Sequence, residues 1–120
     1  MIRLPEAVYV ATSPVNLRLS FDRLAGIVRE VLGRDPHDEA VFVFHNRART
    51  HLKVLWHDRC GYRLLYSRLD RGTYRIPLTI PPGATEVLVS RRELEKLFEG
   101  IDAELLRRAR AVTRELRASA

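Results

Sequence analysis

The fold is decided by residues 41–66, VFVFHNRARTHLKVLWHDRCGYRLLY. The first four residues, 41–44, are apolar throughout, as expected of a strand that is covered on both faces. In the next segment Leu52, Val54 and Trp56 alternate with the residues between them, and 62–67 has the same period of two. A period of two is the repeat of a β-strand. Since polar linkers at 46–50 and 58–61 join the three segments, the stretch predicts an antiparallel meander.

The residues before the meander predict a strand and then a helix. Residues 7–11 have the pattern of a strand that ends at Ser13-Pro14. A helix is expected from about Ser20 to Leu32, with Gly33 as its C-terminal cap. The apolar side chains that would share one face of this helix are Leu24, Ile27, Val28, Val31 and Leu32.

The residues after the meander predict two short strands, at 73–76 and 86–89, and two helices. Ser90 and Glu93 have the spacing of a capping box, which opens a helix through Phe98. Asp102 is placed to cap a final helix over 103–117. The predicted fold class is α+β, an antiparallel sheet of about five strands with one helix before it and two helices after it. We expect a single α+β domain over 1–102 and a C-terminal helical extension over 103–120.

The composition indicates a folded protein that needs no disulfide. At 120 residues, 46% hydrophobic and 30% charged, the chain is large enough to bury one core. No apolar run approaches the roughly 18 residues of a membrane span. The N-terminus has only Arg3 ahead of Glu6, unlike a signal peptide. The single cysteine, Cys60, fits a reducing compartment. We therefore expect a cytoplasmic protein without membrane contact.

The positive charge of the chain is concentrated in its middle third. Residues 41–80 hold eight Lys and Arg against two Asp, whereas 1–40 hold five against six Asp and Glu, and 81–120 eight against seven. Aromatic residues alternate with the basic ones, a combination typical of proteins that bind a polyanion. The predicted nucleic-acid-binding residues are Arg47, Arg49, Lys53, Arg63, Arg68, Arg71, Arg75, Trp56 and Tyr66. The alternative is that Trp56 and the tyrosines fill the core and the arginines only solvate the outer face.

Other kinds of site are less well supported by the residue pattern. His45, His51, His57 and Cys60 lack the closely spaced pairs that are typical of zinc sites. We therefore predict no metal, no cofactor and no catalytic residue. The acidic residues Asp22 and Asp58 are explained by a helix first turn and by a hairpin turn.

A set of uncommon residue combinations occurs in order along the chain. They are Phe-x-Phe-x-Asn-Arg at 42–47, Leu52-Lys-Val-Leu-Trp56, Asp58, Gly61-Tyr62, Tyr66, Arg68-Leu69, Arg71-Gly72, Pro77 and Glu-Gly-Ile-Asp at 99–102. With Val10-Ala-Thr and Ser20-Phe-Asp upstream, this pattern resembles the TnpB accessory proteins of the insertion-sequence-66 family, over roughly residues 4–102. These proteins are products of the second open reading frame of their elements and are unrelated to the RNA-guided nuclease of the same name.

The resemblance implies a bacterial mobile-element protein that is needed for transposition beside a separate transposase, and it implies no particular biochemical activity. The chain departs from the family at three positions. Asn16 replaces the usual Asp and Leu19 a common Lys in the loop before the first helix, and Arg23 replaces the usual Gly at the start of that helix. We predict a non-enzymatic accessory protein that binds DNA of the element ends, the transposase, or both. The alternatives are an adaptor that binds only the transposase and, less favoured, a metal-dependent nuclease. The sequence leaves the oligomeric state open.

Overall fold

The chain begins with a β–α–β unit, to which a hairpin, a further strand and a second helix are added. The structure is a computed structural model that describes residues 4–76 and 81–99. The elements are β1 (Ala7–Ala11), α1 (Phe21–Glu30), β2 (Ala40–His45), β3 (His51–Asp58), β4 (Gly61–Arg68), β5 (Glu86–Val89) and α2 (Arg91–Glu99). The α+β class is confirmed. The predicted helix over 103–117 and the domain boundary after residue 102 lie outside the described residues.

The five strands form one mixed sheet in the order β4-β3-β2-β1-β5. β1 runs parallel to β2, with Val8 opposite Val41, and the other neighbours are antiparallel. The prediction of an antiparallel sheet was therefore wrong at the β1–β2 pair. The first helix does not precede the sheet either, because α1 is the connection between these two strands. A parallel pair of strands needs such a crossover connection. The sequence pattern of the meander predicts how β2, β3 and β4 pair, but it says nothing about the pairing of β1.

α1 covers one face of the sheet. Its buried side chains, Leu24, Ala25 and Val28, lie in one core cluster with Phe42 and Phe44 of β2. All five are at most 1% exposed, so this face forms a dry core. Both faces of β2 are buried along its whole length, as the continuous apolar run predicts.

α2 and the segment after β4 cover the opposite face. Leu94 and Leu97 of α2 lie in one core cluster with Val43, Val54 and Trp56. This core also contains Tyr74 and Ile76, which follow β4 in the chain. Neither of the described helices is long and apolar enough to cross a membrane.

Several local predictions are confirmed and two were wrong. Gly33 has a φ of 66° directly after the helical turn, a conformation that favours glycine. At the start of α2 the N–H of Glu93 donates to Ser90 Oγ over 3.1 Å, and the N–H of Ser90 donates to Glu93 Oε1 over 3.2 Å. Val31 is 52% exposed rather than on the buried face. Residues 73–76 do not form a strand, since the N–H of Tyr74 donates to the carbonyl of Arg49 in the β2–β3 turn and the N–H of Ile76 donates back to the carbonyl of Tyr74.

Candidate nucleic-acid interface

Four connecting segments meet at one end of the sheet, and three of them carry arginines, whereas the fourth, 81–85, leads into β5 and holds no charged residue. Because β1 and β2 are parallel, the loop 12–20 after β1 and the turn 46–50 after β2 leave the sheet at the same end. The N–H of Val15 donates to the carbonyl of His45 over 2.9 Å, which joins the loop to β2. His45 is buried, and its Nε2 lies 3.0 Å from the carbonyl oxygen of Ala11. β4 also ends here, so the segment 68–76 starts from this end.

The side chain of Asn46 organises the turn 46–50. Its Oδ1 accepts hydrogen bonds from the N–H of Thr50 at 2.9 Å and of His51 at 3.1 Å. Arg49 has a φ of 59°, a left-handed conformation that a non-glycine residue adopts at a cost. Arg47 and Arg49 are both exposed on this turn. The turn therefore holds two guanidinium groups outside the sheet on a backbone fixed by hydrogen bonds.

The segment 68–76 is bound to the same turn. The N–H of Tyr74 donates to the carbonyl of Arg49 over 2.7 Å, and the N–H of Leu69 donates to that of Thr50 over 3.1 Å. Tyr74 itself is 1% exposed, and its hydroxyl lies 2.6 Å from Ser67 Oγ. This anchoring brings the exposed arginines of the segment next to those of the turn. They are Arg68, Arg71 and Arg75.

The three segments together form a strongly basic surface, which we call the arginine end. It consists of six exposed arginines: Arg18, Arg47, Arg49, Arg68, Arg71 and Arg75. Asp70 is the only acidic residue in 12–20, 46–50 and 68–76, so the charge of these segments is six minus one, or +5. The next acidic side chain along the chain from Arg18 is Asp22, in the first turn of α1. Repulsion between these guanidinium groups makes an anionic partner favourable.

An exposed aromatic ring adjoins the arginine end on the α1 side of the sheet. Tyr66 is 56% exposed and lies opposite Lys53 in the β3–β4 register. The Lys53 ammonium is 5.0 Å from the centre of the Tyr66 ring, and it donates a hydrogen bond to the carbonyl of Leu19 over 2.7 Å. Lys53 is only 7% exposed. Its charge therefore supports the Tyr66 ring and the loop after β1, and its ammonium is not free to contact a phosphate directly.

Two other residues of the predicted site lie away from the arginine end. Trp56 is 6% exposed in the core under α2, so it supports the sheet, and its indole cannot stack on a base. Arg63 lies near the opposite end of β4, where its Nε donates to Asp58 Oδ2 over 2.8 Å. The hydrogen bonds from Arg63 and from the N–H of Cys60 lower the pKa of Asp58, and Asp58 raises the pKa of Arg63.

The opposite end of the sheet has a different character. A cleft of about 840 Å³ lies there between the start of β1, the end of β3 and the start of α2. Its lining includes the acidic residues Glu6, Glu39 and Asp58 together with Arg59 and Arg91. Because the charges are mixed, this cleft suits a polyanion less well than the arginine end does. Within 4–76 and 81–99, no three His, Cys, Asp or Glu side chains are grouped closely enough to hold a metal ion.

Sequence reasoning missed Arg18 and His51 as neighbours of the basic surface. Arg18 lies outside the basic middle third, and only the parallel pairing of β1 with β2 brings its loop to this end. His51 is opposite Arg68, and its ring centre is 5.9 Å from that of Tyr66. The alternation of β3 already puts His51 on the face of Lys53, which is the signal that would have found it.

Comparison with known proteins identifies the family. The chain matches the family model described as "IS66 Orf2 like protein" over residues 6–108. It is 40% identical over 95 residues to the uncharacterized protein y4hO of Sinorhizobium fredii, covering 79% of this chain and 80% of that protein. It is 30% identical over 95 residues to y4jC of the same organism, also uncharacterized, covering 79% of each chain. No solved structure matches it significantly. The chain therefore belongs to the IS66 Orf2-like family of insertion-sequence accessory proteins.

Proposed function

We propose that this protein assists transposition by binding DNA of its element through the arginine end. The observation that carries the proposal is the charge of +5 on three adjoining segments, whose six arginines are all exposed. Hydrogen bonds fix the turn and the segment that hold five of them, so little ordering is needed when a phosphate backbone binds.

The basic residues of this surface are all arginines, and arginine is well suited to bind phosphate groups. A guanidinium group is planar and presents paired N–H donors that fit two phosphate oxygens at once. Contacts of this kind position a protein on the nucleic-acid backbone without reading its sequence. We therefore expect binding to depend strongly on salt. If about four phosphates are neutralised, affinity for duplex falls about a hundredfold between 50 and 200 mM salt.

The test is fluorescence anisotropy of labelled duplex DNA with the full chain and with Arg47→Glu/Arg68→Glu. Both arginines are exposed, so the double change should leave the fold intact. It reverses two charges on the arginine end, and we expect at least a tenfold loss of affinity together with a shallower salt dependence.

A control of equal charge change is Arg59→Glu/Arg92→Glu. Both of these arginines are exposed and lie near the other end of the sheet, in the β3–β4 turn and in the first turn of α2. We expect this variant to lose far less affinity. Equal losses in the two variants would mean that net charge alone drives binding, and the proposed site would be wrong.

A second candidate function is a protein adaptor that contacts only the transposase. The observation in its favour is the outer edge of β5, where Leu88 is 63% exposed. Among the described residues β5 pairs only with β1, so this edge can accept a strand from another protein. The adaptor function predicts no DNA binding at 50 mM salt and full capture of the element's transposase by Arg47→Glu/Arg68→Glu.

We further propose that the protein is not an enzyme. A metal-dependent nuclease would need carboxylates brought close together. The two candidates are held in separate elements, since Asp22 belongs to the first turn of α1 and Asp58 is the last residue of β3. Asp58 is also occupied structurally, because it accepts hydrogen bonds from the N–H groups of Cys60 and Gly61 and from Arg63. Incubation of labelled DNA with the protein and Mg²⁺ should give no cleavage products.

A further inference from the structure

Tyr66 is an aromatic side chain on the solvent side of an edge strand, beside the arginine end. Among the described residues β4 pairs only with β3, so nothing lies beyond it in the sheet. Tyr66 and Arg68 are two residues apart on the same strand, so both point to the α1 side. Their backbone positions are separated by about 6.6 Å at the usual rise of a strand. A ring and a guanidinium group are therefore presented side by side to the same partner.

The surroundings of Tyr66 hold its ring in place from one side. The Lys53 ammonium lies 5.0 Å from the ring centre, a cation–π distance, and its hydrogen bond to Leu19 fixes that ammonium. The His51 ring lies 5.9 Å away at a tilt of 47°. Yet Tyr66 is still 56% exposed. One side of the ring is thus supported by a buried cation, and the exposed part is available to a planar group.

The nearby exposed apolar residue of β4 gives a useful contrast. Leu65 is 44% exposed, but it points to the other face of the sheet, away from Lys53 and Arg68. On β4 an exposed ring and a neighbouring exposed guanidinium, those of Tyr66 and Arg68, share the α1 side. This combination of a stacking surface and a phosphate contact is typical of proteins that bind single strands.

From this geometry we infer that the arginine end takes an unpaired nucleic-acid strand in preference to a duplex. A base stacks on the exposed part of Tyr66, while Arg68 contacts the adjoining phosphate. In a duplex each base face is covered by the neighbouring base pairs, so Tyr66 cannot stack there and should add little to the affinity for duplex. The inference rests on the proposed function, since it specifies the form of nucleic acid that the same surface binds.

The experiment measures anisotropy of a labelled 20-nucleotide thymidine strand, the matching uridine RNA strand and a 20-base-pair duplex with the full chain. We expect at least one of the single strands to bind more tightly than the duplex, and the pair shows which sugar is preferred. Tyr66→Ala should weaken single-strand binding by about fivefold to a hundredfold, the range that corresponds to the loss of one stacked base. Duplex binding should change by less than twofold.

Two control variants separate stacking from damage to the strand. Tyr66→Phe keeps the ring and loses only the hydroxyl, so it should bind the single strand almost as well as the unchanged protein. Leu65→Ala alters the same strand on the other face and should leave all affinities unchanged. Circular dichroism melts of the four proteins establish that each is folded.

The possible outcomes distinguish this inference from the proposed function. A duplex that binds as tightly as both strands, with no effect of Tyr66→Ala, overturns the inference and leaves the proposed function in place. No binding of any of the three probes at 50 mM salt overturns both. A preference for the single strand that disappears in Tyr66→Ala and persists in Tyr66→Phe supports the inference.

Discussion

At the scale of single residues, burial separates side chains that the sequence pattern treats alike. Lys53 and Arg68 are both basic residues of the meander, but Lys53 is 7% exposed and Arg68 is exposed. Alternation correctly predicts which face each occupies. It does not predict that the loop after β1 returns to cover Lys53 through the carbonyl of Leu19. Trp56 is a similar case, because its burial depends on α2, which is about 40 residues away in the chain.

Asp58 gives a prediction at this scale that concerns pH. Hydrogen bonds from Arg63 and from the Cys60 N–H lower its pKa in the folded protein below the ordinary value of an aspartate. A lowered folded pKa means that the ionised form stabilises the fold above the unfolded pKa. This contribution is lost as the pH falls through the folded pKa. Asp58→Asn lacks it at every pH, so the variant should be less stable than the unchanged protein at pH 7 and similar to it in strong acid.

Urea unfolding of both proteins at several pH values from 7 down to about 2 measures this difference, since the contribution is lost below the unfolded pKa and is gone only below the lower folded pKa. The pKa of Asp35 is lowered by its hydrogen bonds with His37 in both proteins, so its effect cancels in the comparison. A stability difference that stays constant over the whole range would contradict the assigned role of the Asp58 charge.

At the scale of elements, the turn between β2 and β3 holds Arg49 in a strained conformation, so this arginine adds charge to the arginine end at a cost in stability. Arg49 adopts a φ of 59°, which glycine tolerates without the steric cost paid by other residues. The bond from the Tyr74 N–H goes to the backbone carbonyl of residue 49, so a change of side chain leaves it in place. Arg49→Gly should therefore raise the free energy of unfolding by up to about 1 kcal/mol while it lowers DNA affinity severalfold.

Urea denaturation and anisotropy on the same Arg49→Gly preparation check the two effects together. Arg47→Gly is the matched control, since Arg47 is an exposed arginine of the same turn without a positive φ. It should lower affinity to a similar degree without stabilising the protein. If Arg49→Gly proves less stable than the unchanged protein, the strain assigned to this turn is absent.

The elements themselves differ in how far the sequence predicts them. β2, β3 and β4 follow from apolar runs and alternation, and α2 follows from its capping box, because in each case the signal lies within the element. The parallel pairing of β1 with β2 depends on contacts between segments about 30 residues apart, which no local period records. The same pairing brings Arg18 to the arginine end, so the error in the sheet and the omission from the site have one cause.

At the scale of the whole molecule, charge is divided between the two ends of the sheet. Three segments with six exposed arginines and one aspartate leave the sheet where β1 and β2 finish. Glu86 lies at the same end, paired with Arg34, and Asp22 follows in the first turn of α1. A cleft of mixed charge occupies the other end. The sequence predicts the basic character, since the arginines cluster in 41–80. The linkers at 46–50 and 58–61 already place Arg63 near the other end of the meander, but they do not predict that its guanidinium is paired with Asp58.

The last prediction concerns the boundary expected after residue 102. Within 4–76 and 81–99, both core clusters are built from side chains between Leu4 and Phe98, supplied by the five strands, the two helices and their connections. A chain that ends at Asp102 should therefore unfold cooperatively in urea, with a midpoint close to that of the full chain. Residues 103–120 hold five arginines and two glutamates. Their removal should lower duplex affinity severalfold without changing the effect of Tyr66→Ala on the single strand. A shortened chain that no longer unfolds cooperatively would show that 103–120 belongs to the domain, and the family match, which extends to residue 108, would then mark the minimum folding unit.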